Sequence, residues 1–83
     1  MNDSPLFAAV RDSLRRVAPE ADIDDLPGDV ELRDELDLDS MDFLNFVVGI
    51  AERTGIEIPE RDYPEVITLD GCLAYLERRA AAR

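Results

Sequence analysis

Apolar residues recur at helical spacing in three stretches of the chain. Leu6, Val10, Leu14 and Val17 fall along one face, and Ser4 followed by Pro5 suits an N-cap and a first helical position. A first helix is therefore predicted over Pro5–Val17, ended by Pro19. A long Asp-rich connection follows, broken by Pro27 and Gly28, with Ile23, Leu26, Val30, Leu32 and Leu36 spaced through it as anchors. Leu32 and Leu36 fit one helical turn. A connection of this length is uncommon in a compact domain unless it is tied down.

The second predicted helix starts at Asp39 or Ser40, runs to about Arg53, and stops at Gly55. Asp39 can accept from the free amides of its first turn, and its charge suits the positive end of the helix dipole. At roughly 100° per residue, Phe43, Phe46, Val47 and Ile50 share one stripe. Met41, Leu44 and Val48 share another, about 140° away on the same wheel. A helix in a small bundle needs one apolar stripe for its core. The second stripe either packs beneath the long connection or forms a contact surface bordered by Asn45 and Glu52.

Ile56, Ile58 and Pro59 read as an extended link. The stretch Glu60–Val66 suits a short, irregular helix, because Pro64 interrupts it. A last helix begins near Thr68, with Leu69, Cys72, Leu73 and Leu76 on one face and Arg78, Arg79 and Arg83 near its C-terminal end. No alternating strand pattern or internal repeat is present. The expected fold is all-α: a small four-helix bundle of three main helices plus a short irregular third helix, forming one domain over residues 1–83.

Composition narrows what such a bundle can do. Eighty-three residues, 46% of them hydrophobic, support a small core but no separate substrate domain. Histidine is absent and all nine basic residues are arginine, so the chain has neither an imidazole nor a lysine amine for general-base or nucleophilic work. A complete enzyme is not expected. The lone Cys72 excludes an internal disulfide and a Cys-x-x-Cys pair, and at a helical apolar position it reads as a core residue. The N-terminus lacks a basic region followed by an apolar run, and the longest apolar stretch, 46–51, is far short of a membrane span. A cytoplasmic monomer is expected.

The net charge of −11 disfavours nucleic acids and anionic membranes and favours basic protein surfaces. Residues 20–39 hold ten acids against one base, Arg33, a net of −9 over twenty residues. Taken alone, that run is either a solvated acidic loop or a docking surface. A calcium loop beginning at Asp22 would need an oxygen ligand and then Gly where the chain has Leu26 and Pro27, so no metal site is expected.

The segment Leu36-Asp37-Leu38-Asp39-Ser40-Met41-Asp42 closes the acidic connection and opens the second helix. Here the sequence resembles the acyl carrier proteins, whose signature is Asp-Ser-Leu at the start of that helix. Asp39 and Ser40 match it, and Met41 is nearly isosteric with the Leu. The resemblance continues through Asp42, through Glu57, Ile58 and Pro59, through Thr68 and Leu69 at the start of the last helix, and through Tyr75 and Leu76 at its end. In all it spans residues 6–76 in consistent order.

The resemblance implies that a phosphopantetheinyl transferase, holding magnesium at its own site, moves a 4'-phosphopantetheine arm from coenzyme A onto the Ser40 hydroxyl. Acyl groups then ride as thioesters on the terminal thiol. Without a His or Lys beside it, Ser40 is a poor internal nucleophile but a suitable acceptor for an enzyme that brings its own base and metal. Read without the resemblance, Ser40 is an ordinary helix-capping serine. Matching positions place Asp39, Met41, Asp42, Leu44, Val48 and Glu52 against basic and apolar patches on acyl-loading and acyl-transfer enzymes.

The chain departs from carriers of fatty acid synthesis at Asn45 and Ala51, where acids are usual, and at Leu38, where a small residue is usual. Phe43 and Phe46 also fill space that smaller aliphatic residues leave open for an acyl chain. These departures point to a dedicated carrier in a specialised fatty acid, lipid or polyketide pathway. Two alternatives remain. An aminoacyl or D-alanyl carrier shares the Asp-Ser-Met string, although the Gly-Gly-x-Ser motif of peptidyl carriers is missing. An acidic adaptor would bind basic partners with no prosthetic group.

Overall fold

A computed structural model describes residues 5–82. The expected N-cap at Ser4 and the terminal Arg83 lie outside the described residues. Four α-helices are present: α1 (Pro5–Val17), the single turn α2 (Leu32–Glu35), α3 (Ser40–Thr54) and α4 (Leu69–Ala81). Two 3-10 segments, Ile23–Asp25 and Glu60–Val66, complete the order. The all-helical expectation holds. The sole strand-like feature among the described residues is an isolated bridge between Glu31 and Thr68.

Each long helix obeys its local sequence. Asp39 caps α3, and Gly55 ends it in the left-handed region at φ 75°, its N–H donating to Ala51 O at 2.8 Å. Thr68 caps α4 by accepting from the Gly71 N–H at 3.0 Å. Pro64 keeps Glu60–Val66 from settling into a regular α-helix, as expected.

The core gathers Val10 and Leu14 from α1, Phe43, Phe46, Val47 and Ile50 from α3, and Cys72, Tyr75 and Leu76 from α4. Leu6 and Val17 are only half-buried at its edge. On α4, Tyr75 rather than Leu73 fills the core, and Leu73 packs partly buried against it. The phenol makes this possible: Tyr75 Oη donates to Asp62 Oδ2 at 2.7 Å and accepts from Arg79 Nη1 at 3.1 Å, so the ring is buried while its polar end stays satisfied. The same contacts fasten Glu60–Val66 to α4.

The long connection is tied down by backbone bonds. Leu32 N–H donates to Ile67 O at 2.8 Å and Asp70 N–H to Gly28 O at 2.9 Å, which anchors the acidic segment to the start of α4. Ile23, Leu32 and Leu38 are buried beneath it, and Leu26, Val30 and Leu36 are half-buried. Arg15 Nη2 holds Asp24 Oδ2 at 3.0 Å. Within the turn, Asp22 shares a hydrogen bond with Asp25 and, with its charge, raises the Asp25 carboxyl above its ordinary range.

Helix α1 approaches α3 closely where Ser13 meets Gly49. Ser13 is buried with its hydroxyl donating to Ala9 O at 2.8 Å, and a Cβ on Gly49 would stand 3.1 Å from Ser13 Oγ. Gly71 is more constrained. Inside a helix Gly→Ala ordinarily stabilises by about 1 kcal/mol. At Gly71, however, a Cβ would lie 2.7 Å from Glu65 O and 2.9 Å from Thr68 Oγ1. Backbone cannot retreat as a flexible side chain can, so overpacking wins. Gly71→Ala is expected to destabilise the fold by roughly 1–3 kcal/mol, read as a lower thermal midpoint. A rise in the midpoint would show that the close approach has been misjudged.

Burial pushes the Cys72 thiol up from 9.0 to about 12. Folding thus favours the neutral thiol. This contribution is fully present below pH 9 and is lost as pH rises through about 12. A thiol reagent at pH 8 is expected to modify Cys72 only after denaturant unfolds the chain; rapid modification of the native protein would contradict its burial.

Candidate functional site

The site is built on the first turn of α3. Leu36 N–H donates to Leu32 O at 3.0 Å, which closes α2, and Leu38 N–H donates back to Arg33 O at 2.9 Å. Between them Asp37 takes φ 55°, a left-handed conformation that Asp adopts more readily than most residues. This reversal leads into Leu38, whose buried side chain sets where α3 begins.

Asp39 and Asp42 then form a reciprocal capping box. The Asp42 N–H donates to Asp39 Oδ1 at 2.8 Å, and the Asp39 N–H donates to Asp42 Oδ2 at 3.4 Å. Both acids therefore have a structural task at the residue pair flanking Ser40 and Met41. The Phe43 N–H closes the first helical bond on Asp39 O at 3.0 Å. Backbone N–H groups of Ser40 and Met41 belong to the first turn, where intrahelical acceptors are lacking.

Ser40 itself is exposed at the first position of α3 and is not the cap. Its Oγ accepts a long hydrogen bond of 3.5 Å from Arg33 Nη2. No imidazole or amine exists in the chain to activate it. Among the described residues, no group of three or more Asp, Glu or Cys side chains is arranged to hold a metal ion.

Beyond Ser40 the second apolar stripe of α3 is exposed: Met41 at 63%, Leu44 at 40% and Val48 at 46%. The connection does not cover it, because its apolar anchors turn inward. The predicted contact residues other than Asp39 divide between two clefts. Ser40, Met41 and Leu44 line one of about 340 Å³, together with Arg33, Phe43, Glu60 and Tyr63. Asp42, Val48 and Glu52 line another of about 280 Å³ against Arg16 and Val17 of α1. Glu52 also pairs with Arg16 at 3.6 Å. A third cleft of about 530 Å³ is lined by Leu36, Asp37 and Leu38 with the end of α1, and shares Val17 and Asp42 with the second.

Arg33 and Tyr63 were not singled out by sequence reasoning. A signal for Arg33 was present, since it is the one base among ten acids, but spacing alone could not aim it at Ser40. Tyr63 reaches the site through the fold, stacking edge-on against Phe43 with ring centroids 5.6 Å apart.

This geometry suits a phosphopantetheine arm. A primary hydroxyl stands exposed, backbone amides of a helix N-terminus lie beside it, a guanidinium reaches its oxygen, and an open cleft adjoins it. When bound, the arm supplies a terminal thiol that holds a carried group as a thioester. The chain's own part would be to present the Ser40 hydroxyl at a helix start held by the capping box and buried Leu38, beside an exposed apolar ridge.

Comparison with known proteins agrees with this geometry. The family described as the phosphopantetheine attachment site matches residues 8–76. An acyl carrier protein of Streptomyces coelicolor is 27% identical over 81 residues, which cover 98% of this chain and 88% of that protein. With the match extending from α1 to α4, the chain belongs to the phosphopantetheine-binding carrier family, that of the acyl carrier proteins.

Proposed function

We propose that Ser40 receives the 4'-phosphopantetheine arm and that this chain, a single domain over residues 1–83, is a carrier of acyl groups in a specialised pathway. The observation that carries the reading is the exposed hydroxyl at the start of a capped helix, inside a segment matching the attachment-site family. The chain acts as the substrate of its partners rather than as a catalyst. Among the described residues no helix is long and apolar enough to cross a membrane. The proposed setting is the cytoplasm.

The proposed partners are a phosphopantetheinyl transferase and acyl-loading and acyl-transfer enzymes with basic docking patches. Met41, Leu44 and Val48 form the apolar ridge they meet, with Asp39, Asp42 and Glu52 supplying charge. Intact mass measured after incubation with coenzyme A, magnesium and a permissive transferase should rise by one arm. An unchanged mass would favour an adaptor with no prosthetic group.

The ridge makes its own prediction. Leu44→Glu or Val48→Glu places a charge where a partner would bury an alkyl group. Each is expected to lower the transferase kcat/KM roughly tenfold, equivalent to about 1.4 kcal/mol. Because both positions are exposed, stability should move by less than about 0.5 kcal/mol. Unaltered kinetics with both variants would remove the ridge from the transferase interface.

A further inference from the structure

Arg33 is the one cation within the acidic segment 20–39, yet among the described residues it forms no ion pair with any of the ten carboxylates there. Its guanidinium instead lies over the Phe43 ring, 5.9 Å from the centroid, with Nη2 3.5 Å from Ser40 Oγ. The backbone that carries it is held on both sides: Leu32 is fully buried, and Arg33 O accepts from the Leu38 N–H. Arg33 and Glu60 are the charged residues lining the cleft beside Ser40, and Arg33 alone is positive.

We propose that Arg33 is a positioning residue for the prosthetic arm: it holds the phosphodiester formed on Ser40 Oγ and directs the segment beyond it along the wall of Phe43, Leu44 and Tyr63. The proposal rests on Ser40 being the attachment residue.

The present contact is at the outer limit of a hydrogen bond, and its acceptor is a neutral hydroxyl. Attachment forms a Ser40 Oγ–P bond as the pyrophosphate bond of coenzyme A breaks, adenosine 3',5'-bisphosphate leaves and the hydroxyl proton passes to the transferase's base; the resulting phosphodiester carries one negative charge shared by two oxygens. Negative charge thereby arrives within a bond or two of the atom that Arg33 already touches. Charge-assisted bonds of this kind are shorter and about twice as strong as neutral ones. A guanidinium is also suited to the position: its planar donors match phosphate oxygens while its face rests on an aromatic ring. A lysine could supply the charge but not the same stacking.

Need for such a cation follows from the neighbours. A phosphodiester on Ser40 is flanked by Asp39 and Asp42 and preceded by Asp37. Those carboxylates repel it, while the first-turn amides attract it. Arg33 is the cation placed to oppose that repulsion. It also sets a direction, because the guanidinium lies on the Phe43 side of Ser40 and therefore on the cleft's side of α3.

The test uses the full chain, labelled with 13C and 15N, as wild type, Arg33→Ala and Arg33→Lys. Each is converted by coenzyme A, magnesium and a permissive transferase and checked by intact mass. With one arm confirmed, the wild-type Arg33 side-chain nitrogen resonances should shift between unmodified and modified forms. Pantetheine protons should show nuclear Overhauser contacts to the Phe43 and Tyr63 rings. Arg33→Ala should lose those contacts, and Arg33→Lys should keep part of them. Arg33 resonances that do not move, or ring contacts equal in wild type and Arg33→Ala, would overturn the proposal while leaving attachment intact. Failure to gain an arm on Ser40 would overturn both readings, and the mass measurement identifies that case separately.

Discussion

Ser40→Ala is expected to abolish arm attachment completely while leaving the fold in place. The chain contains three serines. Ser13 is buried between α1 and α3, with its hydroxyl donating to Ala9 O, and no transferase can reach it in the folded protein. Ser4 lies outside the described residues. Ser40 is exposed, and its side chain performs no capping task because Asp39 supplies the cap. Among the described residues the hydrogen bond recorded at its side chain is the long one from Arg33. Removing Oγ therefore deletes the acceptor at a stability cost within about 0.5 kcal/mol. The measurements are intact mass after transferase treatment and a thermal melt of the same sample. A full increment in Ser40→Ala would move the attachment site elsewhere.

The largest effect on stability is expected from the other face of the same helix. Phe46→Ala should destabilise the protein by about 3–5 kcal/mol. Phe46 is fully buried and packs against Phe43 at 5.8 Å between ring centroids. Phe43 in turn supports Tyr63, so truncating Phe46 loosens the wall of the Ser40 cleft as well as the core. Small domains have roughly 5–15 kcal/mol of total stability, and this loss takes a large share of it. Urea or thermal unfolding checks the prediction. Leu44→Ala, two positions earlier and exposed, is the control, expected to cost far less. Similar losses for the two variants would contradict the assignment of core and contact faces.

Much of the bundle was legible in the sequence because its signals are local. Helices α1, α3 and α4 follow apolar residues at helical spacing, and their limits follow Asp39, Gly55 and Thr68 acting on adjacent backbone groups. The bonds that hold the acidic connection were not legible. Gly28 and Leu32 meet Asp70 and Ile67 across about 40 residues, and no short-range pattern encodes that pairing. For the same reason the exposure of Met41, Leu44 and Val48 stayed open until the path of the connection was known. Helical spacing favours Leu73 over Tyr75 for the core because the inward position of Tyr75 depends on Asp62 and Arg79 satisfying the phenol. At the site, Ser40 was identified through its family motif and its place at a helix start. Arg33 carries no motif, and its aim at Ser40 depends on the turn through Asp37.

These faces divide α3 in two. Phe43, Phe46, Val47 and Ile50 fix it in the bundle, while the ridge beginning at Met41 stays exposed and is the face proposed to meet partners. With Ser40 as the proposed attachment residue, the carried group would sit at the start of a helix held by four buried apolar side chains. A fixed origin for the arm would let an enzyme docked on the ridge meet the attachment point at a constant distance.

The most direct test of the account is tandem mass spectrometry of wild-type protein after transferase treatment. Fragmentation should place a single arm on Ser40, with Ser4 and Ser13 unmodified. An arm on Ser4, or full treatment with no arm on any serine, would contradict the central claim.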